Sequence, residues 1–204
     1  VLGSPANQTL WRMANVKYII LDNPANVAGL VPLYSGNKTY VYENQNALPR
    51  AYFVNTVQKA NAMEILNKVK NNQFDPKEIA FVEDADVEVD KPDSTASVQI
   101  EKYGDENIYL NVNASGNNFL FLGDTYVGKG WKAYVNGNET TIYRANHNFR
   151  GIVVPKGNHK IHFEYLPHSF VITKYVSLVL SSLVVLGLLV SVGLNFRKKK
   201  EVIE

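Results

Sequence analysis

The C-terminal part of the chain contains a long segment without charge. From Tyr175 to Phe196 all 22 residues are uncharged, and most are Val, Leu or Ser. A helix of this length rises about 33 Å at about 1.5 Å per residue, which matches the hydrocarbon core of a bilayer. The core of a globular domain rarely needs so long an uncharged helix. We therefore predict one transmembrane helix over residues 170–196.

A basic tail follows this segment directly. It contains Arg197, Lys198, Lys199 and Lys200, the membrane-stop residues of the predicted span. Lys and Arg clusters next to a span are retained on the cytoplasmic side. The sequence thus predicts a cytoplasmic tail over residues 197–204, a cell-membrane location, and a domain outside the cytoplasm. The lipid bilayer is the first expected partner.

The charge outside the tail is balanced. Four of the 21 cations and two of the 19 anions lie in the tail, which leaves 17 of each sign in residues 1–174. A domain without net charge lacks the basic face that nucleic acid requires, so no nucleic-acid partner is expected. The sequence has no cysteine, which excludes disulfides and thiol chemistry.

Residues 1–83 combine helical and strand patterns. The clearest helix begins after Asn61, because Ala62, Ile65 and Val69 recur on one face of a 3.6-residue period. We predict a small mixed α/β unit over these 83 residues. Its predicted strands lie around residues 17–22, 39–43, 51–57 and 79–82.

An acidic stretch follows at residues 84–93, which we interpret as a connector. Asp84, Asp86, Glu88 and Asp90 alternate along it, and on a strand they would share one face. Such a row of carboxylates could hold calcium. It lacks the glycine and the 12-residue spacing of a calcium loop, so a solvated edge kept soluble by like charge is the preferred interpretation.

Residues 94–168 show strand patterns throughout. The Asn136-Gly137 pair indicates a two-residue hairpin turn, and Trp131, Ala133 and Val135 form one face of the strand before it. Short strands at this spacing favour an antiparallel β-sandwich of about seven or eight strands. The predicted fold class is therefore α+β: a small mixed α/β unit, an antiparallel β-sandwich, and one C-terminal transmembrane helix.

Motifs for catalysis are missing from the sequence. It contains no G-x-S-x-G motif and no phosphate-binding glycine loop. His159 and His162 are three residues apart on a predicted strand, so their side chains point to opposite faces and cannot chelate one metal. We therefore predict no catalytic residue, no metal site and no cofactor.

Aromatic residues near the hairpin are the one positive indication of binding. Tyr126, Trp131, Tyr134 and Tyr143 cluster around it in sequence, and exposed aromatic rings stack on the apolar faces of sugars. Trp131 is the exception, because a strand tryptophan of a sandwich more often fills the core. The four residues are the candidates for contact with a sugar or a sugar acceptor.

Five segments resemble, in the same order, the C-terminal region of YfhO-like membrane proteins. They are Leu10–Leu21 (LWRMANVKYIIL), Leu48–Val54 (LPRAYFV), Gly130–Gly137 (GWKAYVNG), Tyr143–Val154 (YRANHNFRGIVV) and Pro155–His159 (PKGNH). The resemblance extends over nearly the whole chain.

The resemblance implies a multi-spanning glycosyltransferase of the C type. Such proteins transfer a sugar from a polyprenyl-phosphate carrier to an acceptor outside the cytoplasm, and lipoteichoic acid is the acceptor proposed for some members. Their presumed catalytic acid lies in an early loop among N-terminal spans, and no residue here corresponds to it. We therefore expect further spans upstream of Val1, with this chain as the non-catalytic C-terminal part.

The expected function is thus that of an extracytoplasmic accessory domain, together with the last membrane span of the enzyme. Its expected partners are the upstream spans and a lipid-linked sugar or cell-envelope polymer. The alternative is a single-pass cell-surface module for binding or structural interaction, with no enzymatic role. A signal peptide directly upstream would favour this alternative, whereas many upstream spans would favour the transferase.

Overall fold

A computed structural model of the chain describes Ser4, residues 6–83 and residues 85–201, with backbone only for His168 and from residue 192 onward. The chain forms two compact units, Val1–Tyr165 and Leu166–Glu204. The helices are α1 (Gln8–Met13), α2 (Ala62–Lys70) and α3 (His168–Glu201). The strands are β1 (Tyr18–Leu21), β2 (Leu30–Gly36), β3 (Thr39–Asn44), β4 (Ala51–Val54), β5 (Thr56–Lys59), β6 (Ile79–Val82), β7 (Ser97–Tyr103), β8 (Asn107–Ala114), β9 (Asn118–Thr125), β10 (Trp131–Val135), β11 (Asn138–Thr140), β12 (Tyr143–Ala145), β13 (Phe149–Val154) and β14 (Gly157–Tyr165).

Helix α2 begins where its sequence pattern predicts. The side chain of Asn61 caps it, because Oδ1 accepts a hydrogen bond of 2.9 Å from the backbone N–H of Glu64. Ile65 and Val69 are buried on the inner face of the helix. Local signals therefore suffice to place this helix and to choose its buried face.

Two larger sheets form the body of the first unit. The five-stranded sheet has the order β11-β10-β14-β8-β7, and the six-stranded sheet has the order β4-β9-β13-β12-β6-β5. All neighbouring strands are antiparallel except β5 and β6. The second sheet takes three strands from before residue 83 and three from after residue 117, so both parts of the sequence share it.

The two sheets pack face to face over one apolar core. Leu110, Ala133 and Phe163 of the five-stranded sheet meet Leu120 and Ile152 of the six-stranded sheet there. A second core lies on the other face of the six-stranded sheet, where residues of α1 and α2 cover it. This arrangement confirms the α+β class with mostly antiparallel sheets.

The acidic stretch has no regular secondary structure in residues 85–93. Val87 and Val89 pack against the core beside α2, while Asp90 exchanges hydrogen bonds with Asn117. Asp84 lies outside the described residues. Among those that are described, no group of three His, Cys, Asp or Glu side chains could hold a metal ion together.

Helix α3 contains a segment that is long and apolar enough to cross a membrane. This segment runs from Ser169 to Ser191, and its side chains are exposed rather than buried inside the protein. The structure thus confirms a C-terminal apolar helix. The backbone stays helical through Glu201, but the side chains of Arg197–Lys200, the predicted membrane stop, lie outside the described residues.

The core on the helix-covered face of the six-stranded sheet is packed closely at Gly151, and this packing can be tested. A Cβ added there would overlap the Phe119 ring, whereas a Cβ at Gly128 meets its nearest neighbour, in Tyr126, at an ordinary 3.6 Å. We expect Gly151→Ala to lower the free energy of unfolding by about 1–3 kcal/mol through overpacking. Gly128→Ala is the control and should change it by less than about 0.5 kcal/mol. Denaturant unfolding of the two variants measures the difference, and equal effects would contradict the described core.

Candidate functional site

The outer face of the five-stranded sheet carries aromatic side chains. Residues alternate along its strands, and because Ala133 and Phe163 point into the core, their neighbours Tyr134 and His162 point outward. In the register of the sheet, Tyr134 lies opposite His162, and His162 lies opposite Tyr109. Three neighbouring strands therefore place three rings in one row.

These rings are stacked on one another. The centroids of Tyr109 and His162 are 4.3 Å apart with an interplanar angle of 2°, and those of Tyr134 and His162 are 5.7 Å apart at 23°. Cross-strand aromatic pairs of this kind stabilise a sheet as well as shaping its surface. We call Tyr109, His162 and Tyr134 the aromatic ladder.

Hydrogen bonds hold the rings of the ladder in place. Nε2 of His162 lies 2.8 Å from Oδ1 of Asn107, and because an amide oxygen only accepts, Nε2 carries the proton and donates it. The hydroxyl of Tyr134 donates to Glu164 at 3.5 Å. The ladder is thus held in one arrangement by its polar neighbours.

A cavity of about 660 Å³ lies beside the ladder and is lined by all three of its rings. Polar groups line it as well, among them Glu101, Lys160 and Asn136. Asn111 donates to Glu101 at 3.2 Å, and the Asn136 oxygen accepts from the backbone N–H of Lys160 at 2.8 Å. Binding sites for polar organic molecules combine apolar ring surface with hydrogen-bond donors and acceptors, as this cavity does.

The aromatic residues singled out in the sequence occupy three separate environments. Tyr134 belongs to the ladder. Trp131 points to the opposite side of β10 and packs half-buried against the core. Tyr126 and Trp131 line a second cavity of about 350 Å³. Tyr143 is half-buried, and its ring centroid lies 6.1 Å from that of Phe119.

Two of the three ladder residues were not singled out from the sequence. Strand alternation already places Tyr109 and His162 on outward faces, since Leu110 and Ile161 occupy the apolar positions next to them. What alternation leaves open is which outward residue of one strand lies opposite which residue of the next. That register comes only from the sheet.

A buried ion cluster lies at the end of the sandwich where Trp131 and Tyr165 pair. Asp124 forms ion pairs with Arg150 at 3.1 Å and with Arg50 at 3.2 Å. Its Oδ1 also accepts a hydrogen bond of 2.7 Å from the hydroxyl of Tyr103. The Arg150 guanidinium also lies 3.9 Å from the centroid of Trp131. One carboxylate of β9 thus contacts β7, β13 and the residue directly before β4.

Burial alters the pKa values of groups in this cluster. The pKa of Arg150 is lowered by burial, which the neighbouring Asp124 carboxylate opposes. The pKa of Tyr103 is raised, first by burial and then by its hydrogen bond to the same carboxylate. The protonated forms of both groups therefore depend on Asp124 as their neighbour.

These features define a membrane protein in which a β-rich domain is followed by one apolar helix. Residues 88–177 match the family model described as bacterial membrane protein YfhO. The matched part includes the whole aromatic ladder and Asp124. This match supports a relationship of the matched part to YfhO-like membrane proteins. No curated protein and no solved structure gives a significant match to it.

The ion cluster yields a prediction about stability. Asp124→Ala should lower the free energy of unfolding by about 3–5 kcal/mol, because Arg150 would remain buried without its carboxylate. Asp86→Ala is a matched control, because Asp86 pairs with Lys59 at the same distance of 3.1 Å but is exposed. This variant should lower the free energy of unfolding by less than about 1 kcal/mol. Chemical denaturation of both variants gives the comparison. A loss at Asp124 as small as at Asp86 would show that the cluster does not stabilise the fold.

Proposed function

We propose that the first unit is the extracytoplasmic accessory domain of a membrane glycosyltransferase that uses a polyprenyl-phosphate-linked sugar. In this proposal the domain holds the sugar acceptor and does no chemistry itself. The observation that carries it is the aromatic ladder beside a polar cavity on the outer face of the five-stranded sheet.

The chemistry of a sugar fits this face. A pyranose ring offers apolar C–H groups and several hydroxyls, each a donor and an acceptor. Tyr109 and Tyr134 supply apolar ring surface, while Glu101, Glu164 and Lys160 supply acceptors and donors around the same cavity. Two carboxylates against one ammonium give the cavity no excess of positive charge. We therefore expect it to take a neutral sugar rather than a polyphosphate.

The accessory role rests on the resemblance to YfhO-like proteins. That resemblance implies a catalytic acid in a loop among upstream spans, and no residue of this chain corresponds to it. The domain would then present the acceptor, a cell-envelope polymer, to a site built elsewhere in the same protein. The upstream spans and the lipid-linked sugar are the partners in this scheme.

The orientation is part of the proposal. The cations from Arg197 to Lys200 follow the apolar segment at once, which favours a cytoplasmic tail. The first unit would then lie outside the cytoplasm, where carriers of the polyprenyl-phosphate type deliver their sugars.

A single-pass surface module without enzymatic role is the second candidate. The ladder and cavity need no catalytic group to bind a sugar. The two candidates differ in one measurable respect: Tyr134→Ala should lower sugar transfer by the full-length protein only if the domain presents the acceptor. Unchanged transfer would favour the module.

Sugar binding itself is tested with the ladder variants. Tyr109→Ala and Tyr134→Ala should each weaken binding of the full chain to immobilised neutral oligosaccharides about tenfold or more, as loss of a central aromatic contact does. Poly(glycerol phosphate) serves as the anionic comparison and should bind less well.

Tyr126→Ala is the matched control for this experiment, because Tyr126 lines the smaller cavity next to Trp131. It should leave oligosaccharide binding unchanged. If Tyr126→Ala weakens binding while the ladder variants do not, the sugar site lies in the smaller cavity and the ladder proposal is wrong. All three variants should remain folded under the conditions of the binding assay, although the two ladder variants lose a cross-strand ring contact and should unfold at a lower midpoint.

The orientation is tested by labelling, since the chain has no native cysteine. One variant, Lys156→Cys, carries its label in an exposed turn, and a second variant carries a cysteine added after Glu204. A membrane-impermeant maleimide should label the first variant in intact spheroplasts and the second only after lysis. The reverse pattern would place the domain in the cytoplasm and contradict the proposed role.

A further inference from the structure

The three-stranded sheet, with the order β1-β3-β2, has one apolar face. In its register Ile20 lies opposite Val41, and Val41 lies opposite Tyr34. The next row pairs Tyr18 with Glu43. Side chains directly opposite one another share a face, so these rows form one surface. We call it the β1–β2 face; its members are Tyr18, Ile20, Val31, Leu33 (at the bulge of β2), Tyr34, Val41 and Glu43.

This face is exposed, whereas the opposite face of the same sheet is partly covered around Tyr42. Ile20 is 68% exposed and Leu33 is 55% exposed, while Tyr42 on the other side is only 5% exposed. The Tyr42 hydroxyl accepts a hydrogen bond of 2.8 Å from the backbone N–H of Ala25, in the loop that covers it. Contiguous exposed apolar surface of this kind marks an interaction site.

The charge on the β1–β2 face is small and paired. Glu43 meets Lys17 at 3.8 Å, and the ammonium of Lys17 also lies 5.4 Å from the centroid of Tyr18. A lysine beside a tyrosine and exposed aliphatic side chains is the combination found where proteins meet the interface of a bilayer. The face therefore suits a lipid surface that need not be anionic.

Its position in the first unit can be followed through hydrogen bonds, beginning at the last residue of β14. Tyr165 lies opposite Trp131, at the end of the sandwich that contains the ion cluster. In this cluster Asp124 binds Arg50, whose carbonyl accepts a 2.7 Å hydrogen bond from Gly123. Tyr165 and Arg50 thus lie at the same end of the two sheets.

The three-stranded sheet joins the body of the unit at this end. Arg50 is six residues after the end of β3 at Asn44, and the connection is fixed there by a backbone hydrogen bond of 3.2 Å from Leu48 to Arg12. Strand β1 begins close to this connection, because the side chain of Asn44 donates a hydrogen bond of 3.0 Å to the carbonyl of Val16, two residues before β1. The β1–β2 face therefore belongs to the end of the unit from which the chain continues into α3.

We infer that the β1–β2 face lies on the surface of a lipid bilayer. Only Leu166 and Pro167 separate Tyr165 from α3, and an extended chain covers at most about 3.6 Å per residue. A segment apolar enough to cross a bilayer thus follows within a few residues of the end of the unit to which the β1–β2 face belongs. Tyr18, Ile20 and Leu33 enter the boundary between head groups and acyl chains, to a depth of about 5–10 Å.

The test uses labels on the full chain, which has no cysteine of its own. Ile20→Cys and Leu33→Cys are labelled with an environment-sensitive fluorophore and reconstituted into phosphatidylcholine vesicles, with or without brominated acyl chains. We expect bromination to quench both labels about twofold or more, because they reach the acyl boundary.

Lys156→Cys is the control. It lies next to Gly157, at the opposite end of β14 from Tyr165, and should keep its fluorescence in brominated vesicles. Quenching at positions 20 and 33 no greater than at 156 would overturn the inference. Labels protected from aqueous iodide but not quenched by bromolipid would also overturn it, since a second copy or another protein segment would then cover the face. Wild-type unfolding midpoints of the unlabelled variants show that the fold is retained.

Discussion

The burial of strand β9 on both of its faces is the constraint on which the first unit depends. Phe119 and Phe121 point into the core beside α1 and α2, and Leu120 and Leu122 point into the core between the sheets. Each of these side chains stabilises the fold by about 1.5–3 kcal/mol when removed from water. A strand with two apolar faces must be covered by a layer on each side, and this gives helices, sheet and sheet in that order.

The end of β9 adds a polar constraint. Asp124 is the only acid of the strand. Its position at the end of the sandwich lets Arg150 of β13 and Arg50, directly before β4, reach it. This buried pairing gives one end of the two sheets a defined geometry, at a cost in desolvation. The three-stranded sheet joins the unit at the same end, and the chain continues from this end into α3.

The proposed sugar site and the proposed membrane contact use different surfaces of the domain. The aromatic ladder lies on the outer face of the five-stranded sheet. Its rings point outward because the neighbouring residues on each strand point into the core. The β1–β2 face belongs to a sheet that shares no strand with it. A domain of this design would hold a sugar beside a membrane without using the same residues for both tasks.

The sequence alone determined the features that depend on local pattern. The uncharged segment predicted the apolar helix, Asn61 predicted the start of α2, and alternation predicted which residues of β10 face inward, because each signal needs only neighbouring residues. The pairing of β4 with β9, which are separated by more than 60 residues, needed the folded chain. So did the meeting of Tyr109 with His162 and of Arg50 with Asp124. Register and long-range pairing come from the closing of whole sheets over a core, and no local pattern contains that information.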